Sequence, residues 1–302
     1  MDSQILLFIR MSRPLFLLGG LLLFALGAGI ARYLGAEIDW GIYFLGQAVV
    51  TTLQLSAQYL NEYFDSPADQ ENRNRTIFSG GSGAVGPGKI SRNTVLLAAA
   101  TALTVFSALI VLLISREILS PTIALLLALS FLGAFFYSTP PISLARSGYG
   151  ELTTSILVSI LVPTFAFLLQ FGELHRLVAM STFPLMPLHL AMMLEFEFPD
   201  YSADVKFEKN TLLVRMGWER AMNLHNTLII SAYLLLALAA MFGLPLPIVL
   251  PALLTLPLGL LQIWQMRRIA AGARPNWRNL TLTGIVLFIS EVYLLAFAFW
   301  TR

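Results

Sequence analysis

Runs of about 20 largely apolar residues, long enough as helices to cross about 30 Å of hydrocarbon, recur along almost the whole chain. They fall at residues 14–33, 40–60, 93–115, 119–137, 152–172, 177–198, 221–243, 245–265 and 279–300. The pattern predicts an all-α fold, a polytopic transmembrane bundle of about nine helices forming a single membrane domain over residues 1–302. The first run is too long for the apolar part of a typical signal peptide and no small-residue cleavage site follows it, so it is retained as a span.

Composition agrees with a membrane protein. Of the 302 residues 57% are hydrophobic and only 12% charged, whereas a soluble chain carries roughly 25% charged residues. The mean hydropathy is +0.75. The lack of cysteine excludes a disulfide framework and thiolate chemistry, and three histidines leave little for a zinc centre. A net charge of +2 gives no basis for a nucleic-acid partner, and no protein partner is evident. Chemistry in this chain must rest on carboxylates, bases and backbone.

The positions of the charges say more than their number. With the N-terminus in the cytoplasm, 15 of the 19 basic residues fall on the cytoplasmic side and only Arg32, Arg116, Arg176 and Arg302 on the other. That asymmetry is the one cell-membrane proteins carry. The run Arg267, Arg268, Arg274 and Arg278 most simply fixes this topology, with anionic lipid as a possible contact. Nine of the 17 acids lie in two windows, 61–71 and 195–208, each at the cytoplasmic end of a span. Asn61, Asp65 and Asp69 are spaced by four, and Glu197, Asp200 and Asp204 by three and four, so each set shares one helix face. Carboxylates lined up this way repel unless a cation sits between them. Oxygen-only ligands suit Mg2+, which bridges carboxylates to phosphates.

The windows also repeat. Seven residues after Asp69 and Asp204 stand Thr76 and Thr211, with Arg75 and Lys209 just before them. Two facing Asp clusters backed by basic groups suit a diphosphate clamped by Mg2+ and Arg or Lys. The Gly-rich stretch 79–88 follows the first cluster directly; by itself it reads as a plain flexible loop, and by its position as a lid over the site.

At these residues the chain resembles the UbiA superfamily of intramembrane prenyltransferases. Its NxxxDxxxD signature appears as Asn61, Asp65 and Asp69, followed by Arg73, Arg75 and Phe-Ser-Gly-Gly-Ser-Gly ending at Gly83. The DxxxD signature appears as Asp200 and Asp204, preceded by Glu197 and followed by Lys206, Lys209 and Thr211 to Gly217. Between them, Tyr137-Ser-Thr-Pro140-Pro141 with Gly148, Gly150 and Glu151 is similar to the segment the family carries after its fourth helix. Phe196, Glu208 and Asn210 depart from Asn, Gly and Arg in close members.

The resemblance implies Mg2+-dependent transfer of a polyprenyl group from its diphosphate to a small acceptor. Asp65, Asp69, Asp200 and Asp204 would hold the metal, with Asn61 as a neutral ligand. Arg73, Arg75, Lys206 and Lys209 would stabilise the diphosphate, and Arg146 would either reach it or orient its loop. Glu62 and Glu197 are further metal or base candidates, and Tyr137 would shield an allylic cation. The glycine-rich stretch is most like the branch that prenylates 1,4-dihydroxy-2-naphthoate in menaquinone synthesis. Acceptors of the 4-hydroxybenzoate, prenylated glycerol phosphate or chlorophyll-alcohol type stay open, as does a cation-coupled transporter. Glu291, His189 and His225 lie within spans: an ionisable Glu291 there is a functional candidate whose plain reading is a protonated or paired residue, and the two histidines are candidates for an acceptor site whose plain reading is a satisfied core histidine.

Overall fold

A computed structural model describes residues 4–302. It is built of helices, in the order α1 (Gln4–Met11), α2 (Pro14–Tyr33), α3 (Trp40–Glu71), α4 (Arg92–Ser115), α5 (Pro121–Ser138), α6 (Gly150–Ile156), α7 (Val162–Phe171), α8 (Arg176–Thr182), α9 (Leu185–Lys206), α10 (Leu212–Met216), α11 (Trp218–Met241), α12 (Leu246–Ala252), α13 (Leu256–Ala270) and α14 (Trp277–Trp300). Local chemistry sets several starts. Asp39, Ser91 and Ser120 accept hydrogen bonds from Ile42, Thr94 and Ile123 and so cap α3, α4 and α5.

Among the described residues, eight segments are long and apolar enough to cross a membrane. They cover every predicted span but that at 40–60. This one forms the first part of α3, which is helical but carries Gln47, Thr51, Gln54, Gln58 and Asn61 along its length. Within 40–60, Gln54 and Gln58 line an internal cavity beside Val49, Leu53 and Ala57, and together with Gln47, Thr51 and Thr52 they make this segment less apolar than the others. Three spans are internally broken. A π turn at Leu157–Leu161 joins α6 to α7, residues 183–184 separate α8 from α9, and a 3-10 turn at Leu253–Thr255 joins α12 to α13.

Helix α9 is central, packed against α6, α11 and α14. One core cluster fills the space around α2, α9, α11 and α14, and a second lies between α2, α3, α5 and α7. The cavity runs between them. Outward faces carry large exposed apolar side chains, such as Leu97, Val111, Leu125, Leu234, Leu254 and Phe297, as a lipid-facing surface requires.

Candidate active site

Both Asp motifs lie on helices. Asn61, Asp65 and Asp69 occupy the last turns of α3, and Glu197, Asp200 and Asp204 the last turns of α9. Each helix has a proline within or just before its motif, Pro67 and Pro199. Pro67 has no N–H for the Tyr63 carbonyl, and that carbonyl instead accepts from the Arg92 guanidinium at 3.1 Å and the Ser66 hydroxyl at 3.3 Å.

The two motifs converge. Lys209 Nζ is 3.0 Å from Asp65 Oδ2 and 3.6 Å from Asp204 Oδ1, so one ammonium bridges carboxylates from the two halves of the chain. Burial alone would lower the Lys209 pKa, but Asp65 and Asp204 more than reverse this and raise it. Asn61 Nδ2 donates to Asp65 Oδ2 at 2.8 Å. Asp200 accepts from Asn72 Nδ2 at 2.6 Å and from the Gly80 amide at 2.8 Å, which ties α9 to the loop after α3. Asp69 lies beyond the membrane span of α3. Its burial, then the charges of Asp65 and Glu62, push its pKa up to about 8 against the pull of Lys209 and Arg13.

The glycine-rich loop forms part of the wall. Gly80 and Gly81 adopt φ of +73° and +72°, which only glycine takes without strain, and a Cβ on Gly81 would collide with the Asp69 carboxylate. Ser82 donates from its amide and its hydroxyl to Glu62, each at 2.7 Å. Arg13 Nη2 meets the same carboxylate at 2.5 Å. Glu62 therefore clamps the loop to the start of α2, and both of its oxygens are engaged.

The other predicted bases are placed differently. Arg75 hydrogen-bonds to the Gly80 carbonyl at 2.6 Å and to that of Asp69, bracing the loop from behind. Arg146 donates to the Phe207 carbonyl at 2.9 Å and holds the segment that carries Lys209. Lys206 is exposed and pairs with Glu71, and Arg73 is exposed. None of these four lines the cavity, whereas Lys209 does. The two repeated threonines both start turns: Thr76 Oγ1 accepts from the amides of Phe78 and Ser79, and Thr211 caps α10.

The cavity, of about 330 Å³, has the Asp clusters at one end. Its α3 wall runs from Val49 to Asp69, about 30 Å at 1.5 Å per residue. Val49, Leu53, Leu127 and Phe165 of the second core cluster line its far part. Tyr137 lines it too. Near the acids stands an aromatic wall that sequence reasoning missed. Phe78 and Phe196 stack at 6.0 Å and 13°, and Phe16 meets both edge-on at 6.2 and 6.1 Å. Its one visible signal was Phe196 standing where close family members carry Asn. Glu151 and Glu197 share another wall, where Leu212 N–H donates to Glu151 at 3.3 Å and Leu213 N–H to Glu197 at 2.8 Å.

The model of the UbiA prenyltransferase family matches residues 21–292. The chain belongs to the UbiA prenyltransferase family. Solved UbiA structures share its fold. A UbiA homologue from Archaeoglobus fulgidus bound to GPP and Mg2+ superposes with a TM-score of 0.72 at 18% identity, covering 98% of this chain and 100% of that one. A digeranylgeranylglyceryl phosphate synthase gives 0.63 at 15% identity with both chains fully covered. The apo UbiA homologue from Aeropyrum pernix K1 gives 0.62 at 15% identity, covering 94% of this chain and 96% of that one. No curated protein matches the sequence significantly. UbiA membership makes this chain a multi-pass membrane prenyltransferase.

Among the described residues, no three His, Cys, Asp or Glu side chains converge on one point as a ready-made metal cage. Mg2+ keeps several waters and takes part of its shell from substrate phosphate. The donor set fits, since it is all oxygen and Lys209 already holds a positive charge between two of the four Asp side chains.

Proposed function

We propose that this UbiA prenyltransferase transfers a polyprenyl group from its diphosphate to a hydroxylated aromatic acceptor, with 1,4-dihydroxy-2-naphthoate as the favoured acceptor. The observation that carries the reading is the bridging of Asp65 and Asp204 by Lys209 at the mouth of a deep apolar chamber. This places charge chemistry at one end and room for an isoprenoid chain at the other. The naphthoate assignment rests on the Phe78 to Gly83 stretch.

Asp65, Asp69, Asp200 and Asp204, with Asn61, would hold Mg2+, which when bound neutralises charge on the diphosphate. Lys209 adds a buried ammonium at the same place and stabilises the leaving group electrostatically. Arg75 and Arg146 act through the backbone they hold. As the bond from the prenyl carbon to the diphosphate oxygen breaks, the cation that develops faces Tyr137 and the Phe16, Phe78 and Phe196 rings. The acceptor carbon supplies the electron pair of the new bond and loses a proton. We place the site on the cytoplasmic side, where the excess of Lys and Arg lies.

Purified protein incubated with Mg2+, a labelled polyprenyl diphosphate and a panel of acceptors should form prenylated naphthoate, and EDTA should stop the reaction. Asp65→Ala or Asp200→Ala should lower the rate by about 10²-fold or more while the protein still inserts. Wild-type rates in either variant would refute the metal assignment. Ion flux in liposomes without any prenylated product would replace the reading by a transporter.

A further inference from the structure

One polar side chain in the chamber has no part in the chemistry above. His189 on α9 is 4% exposed and lines the chamber with Thr154, Met192 and Phe288. Its ring meets Phe288 edge-on at 4.9 Å. Along α9 it lies about 16 Å deeper than Asp200, at 1.5 Å per residue.

Its tautomer follows from the network around it. Nδ1 is 3.0 Å from the Ser155 hydroxyl, and that hydroxyl donates its single proton to the Glu151 carbonyl at 2.7 Å. Ser155 Oγ is left to accept from the ring, so Nδ1 carries the hydrogen of the neutral imidazole and Nε2 is a bare acceptor. No group among the described residues hydrogen-bonds to Nε2. The residue lines the chamber, and Nε2 is the ring nitrogen that the protein leaves for a ligand there. His225 shows the contrast of a satisfied histidine. Its Nε2 lies 2.6 Å from Glu195 Oε1 and its Nδ1 3.1 Å from Asn226 Oδ1, and it is absent from the chamber wall.

An isoprenoid chain has no donor to offer Nε2, and an acceptor walled in by apolar groups is costly to leave unmet. A carboxylate or ether oxygen would set lone pair against lone pair. We propose that His189 Nε2 accepts a hydrogen bond from an O–H group of the prenyl acceptor and thereby selects hydroxylated acceptors, with Ser155 fixing the tautomer that makes this possible. The inference rests on the prenyl-transfer reading and adds to it the residue that reads the acceptor.

The test compares wild type, His189→Leu and Ser155→Ala, with Mg2+, a labelled polyprenyl diphosphate, and a hydroxylated aromatic acceptor beside each of its mono-O-methyl ethers. For one of the ethers, wild type should favour the free hydroxyl about tenfold or more in kcat/KM. His189→Leu should lose that preference while its KM for the prenyl diphosphate stays unchanged. Ser155→Ala frees the ring to protonate either nitrogen and should lower the preference while keeping the ring in place. Preferences unchanged in His189→Leu, or in Ser155→Ala should the first variant fail to fold, overturn the role of His189 and leave prenyl transfer standing. Wild-type protein that prenylates no acceptor at all overturns the proposed function, and this inference with it.

Discussion

In the proposed metal site, Asp69 is the carboxyl whose proton a cation must displace. Burial and the neighbouring Asp65 and Glu62 charges raise its pKa to about 8, so at neutral pH it holds a proton that it must release to ligate a metal. Lowering the pH below 8 favours the protonated form and opposes Mg2+; raising it through 8 removes that competition. The Mg2+ concentration for half-maximal activity should therefore rise as the pH falls from about 8 to about 6.5, by at most tenfold per unit for one proton. A flat dependence would exclude Asp69 from the metal site. Glu62 plays the opposite part, since Arg13 and Ser82 engage both of its oxygens. Glu62→Ala would strand a largely buried guanidinium and two donors, at a cost of about 3 kcal/mol. Glu62→Gln keeps one acceptor oxygen for Ser82 and should cost less. Thermal unfolding in detergent checks the order, and equal midpoints for the two variants would mean that the clamp is not what holds the loop.

Two helix ends and the loops that follow them make the site, and each helix end leaves its acids on one face. The loop after α3 is the more constrained. Gly81→Ala would set a Cβ against the Asp69 carboxylate at a φ of +72°, so the loop must shift away from Asp69 and Asp200. Prenyl transfer should fall by about 10²-fold, with expression and membrane insertion kept. Assay of the purified variant decides this, and a near-normal rate would mean that the loop tolerates displacement. Much at this scale was legible in the sequence. The spacing of Asn61, Asp65 and Asp69, and of Glu197, Asp200 and Asp204, already put each set on one helix face. What spacing does not contain is which base faces inward. Arg73, Arg75, Lys206 and Lys209 look alike beside their motifs, and only the fold of the two loops turns Lys209 into the cavity, Arg75 onto backbone carbonyls and Lys206 onto Glu71. The Phe16, Phe78 and Phe196 wall was hidden for a similar reason, because its members come from three distant parts of a chain with 21 phenylalanines.

At the scale of the whole molecule, the helices divide the protein into a charged end and an apolar body, and the proposed function assigns one part of the substrate to each. In that proposal the diphosphate would sit at the Lys209 end and the isoprenoid chain in the chamber that continues toward Phe165. Within the 40–60 segment Gln54 and Gln58 face that chamber beside Val49, Leu53 and Ala57, so an apolar run can belong to a helix that lines the interior rather than one surrounded by lipid. The orientation proposed from the Lys and Arg excess then places the charged end in the cytoplasm, where a water-soluble diphosphate head can reach it. The absence of cysteine makes this directly testable. Lys206→Cys and Arg116→Cys introduce single thiols at exposed positions, one beside the Asp clusters and the other at the opposite end of α4. A membrane-impermeant maleimide should label Arg116→Cys in intact cells and Lys206→Cys only in inverted vesicles. Labelling of Lys206→Cys from outside would invert the topology and put the diphosphate site on the wrong side for a cytoplasmic substrate, while labelling of both thiols from one side would contradict the odd number of crossings that separates them in this arrangement.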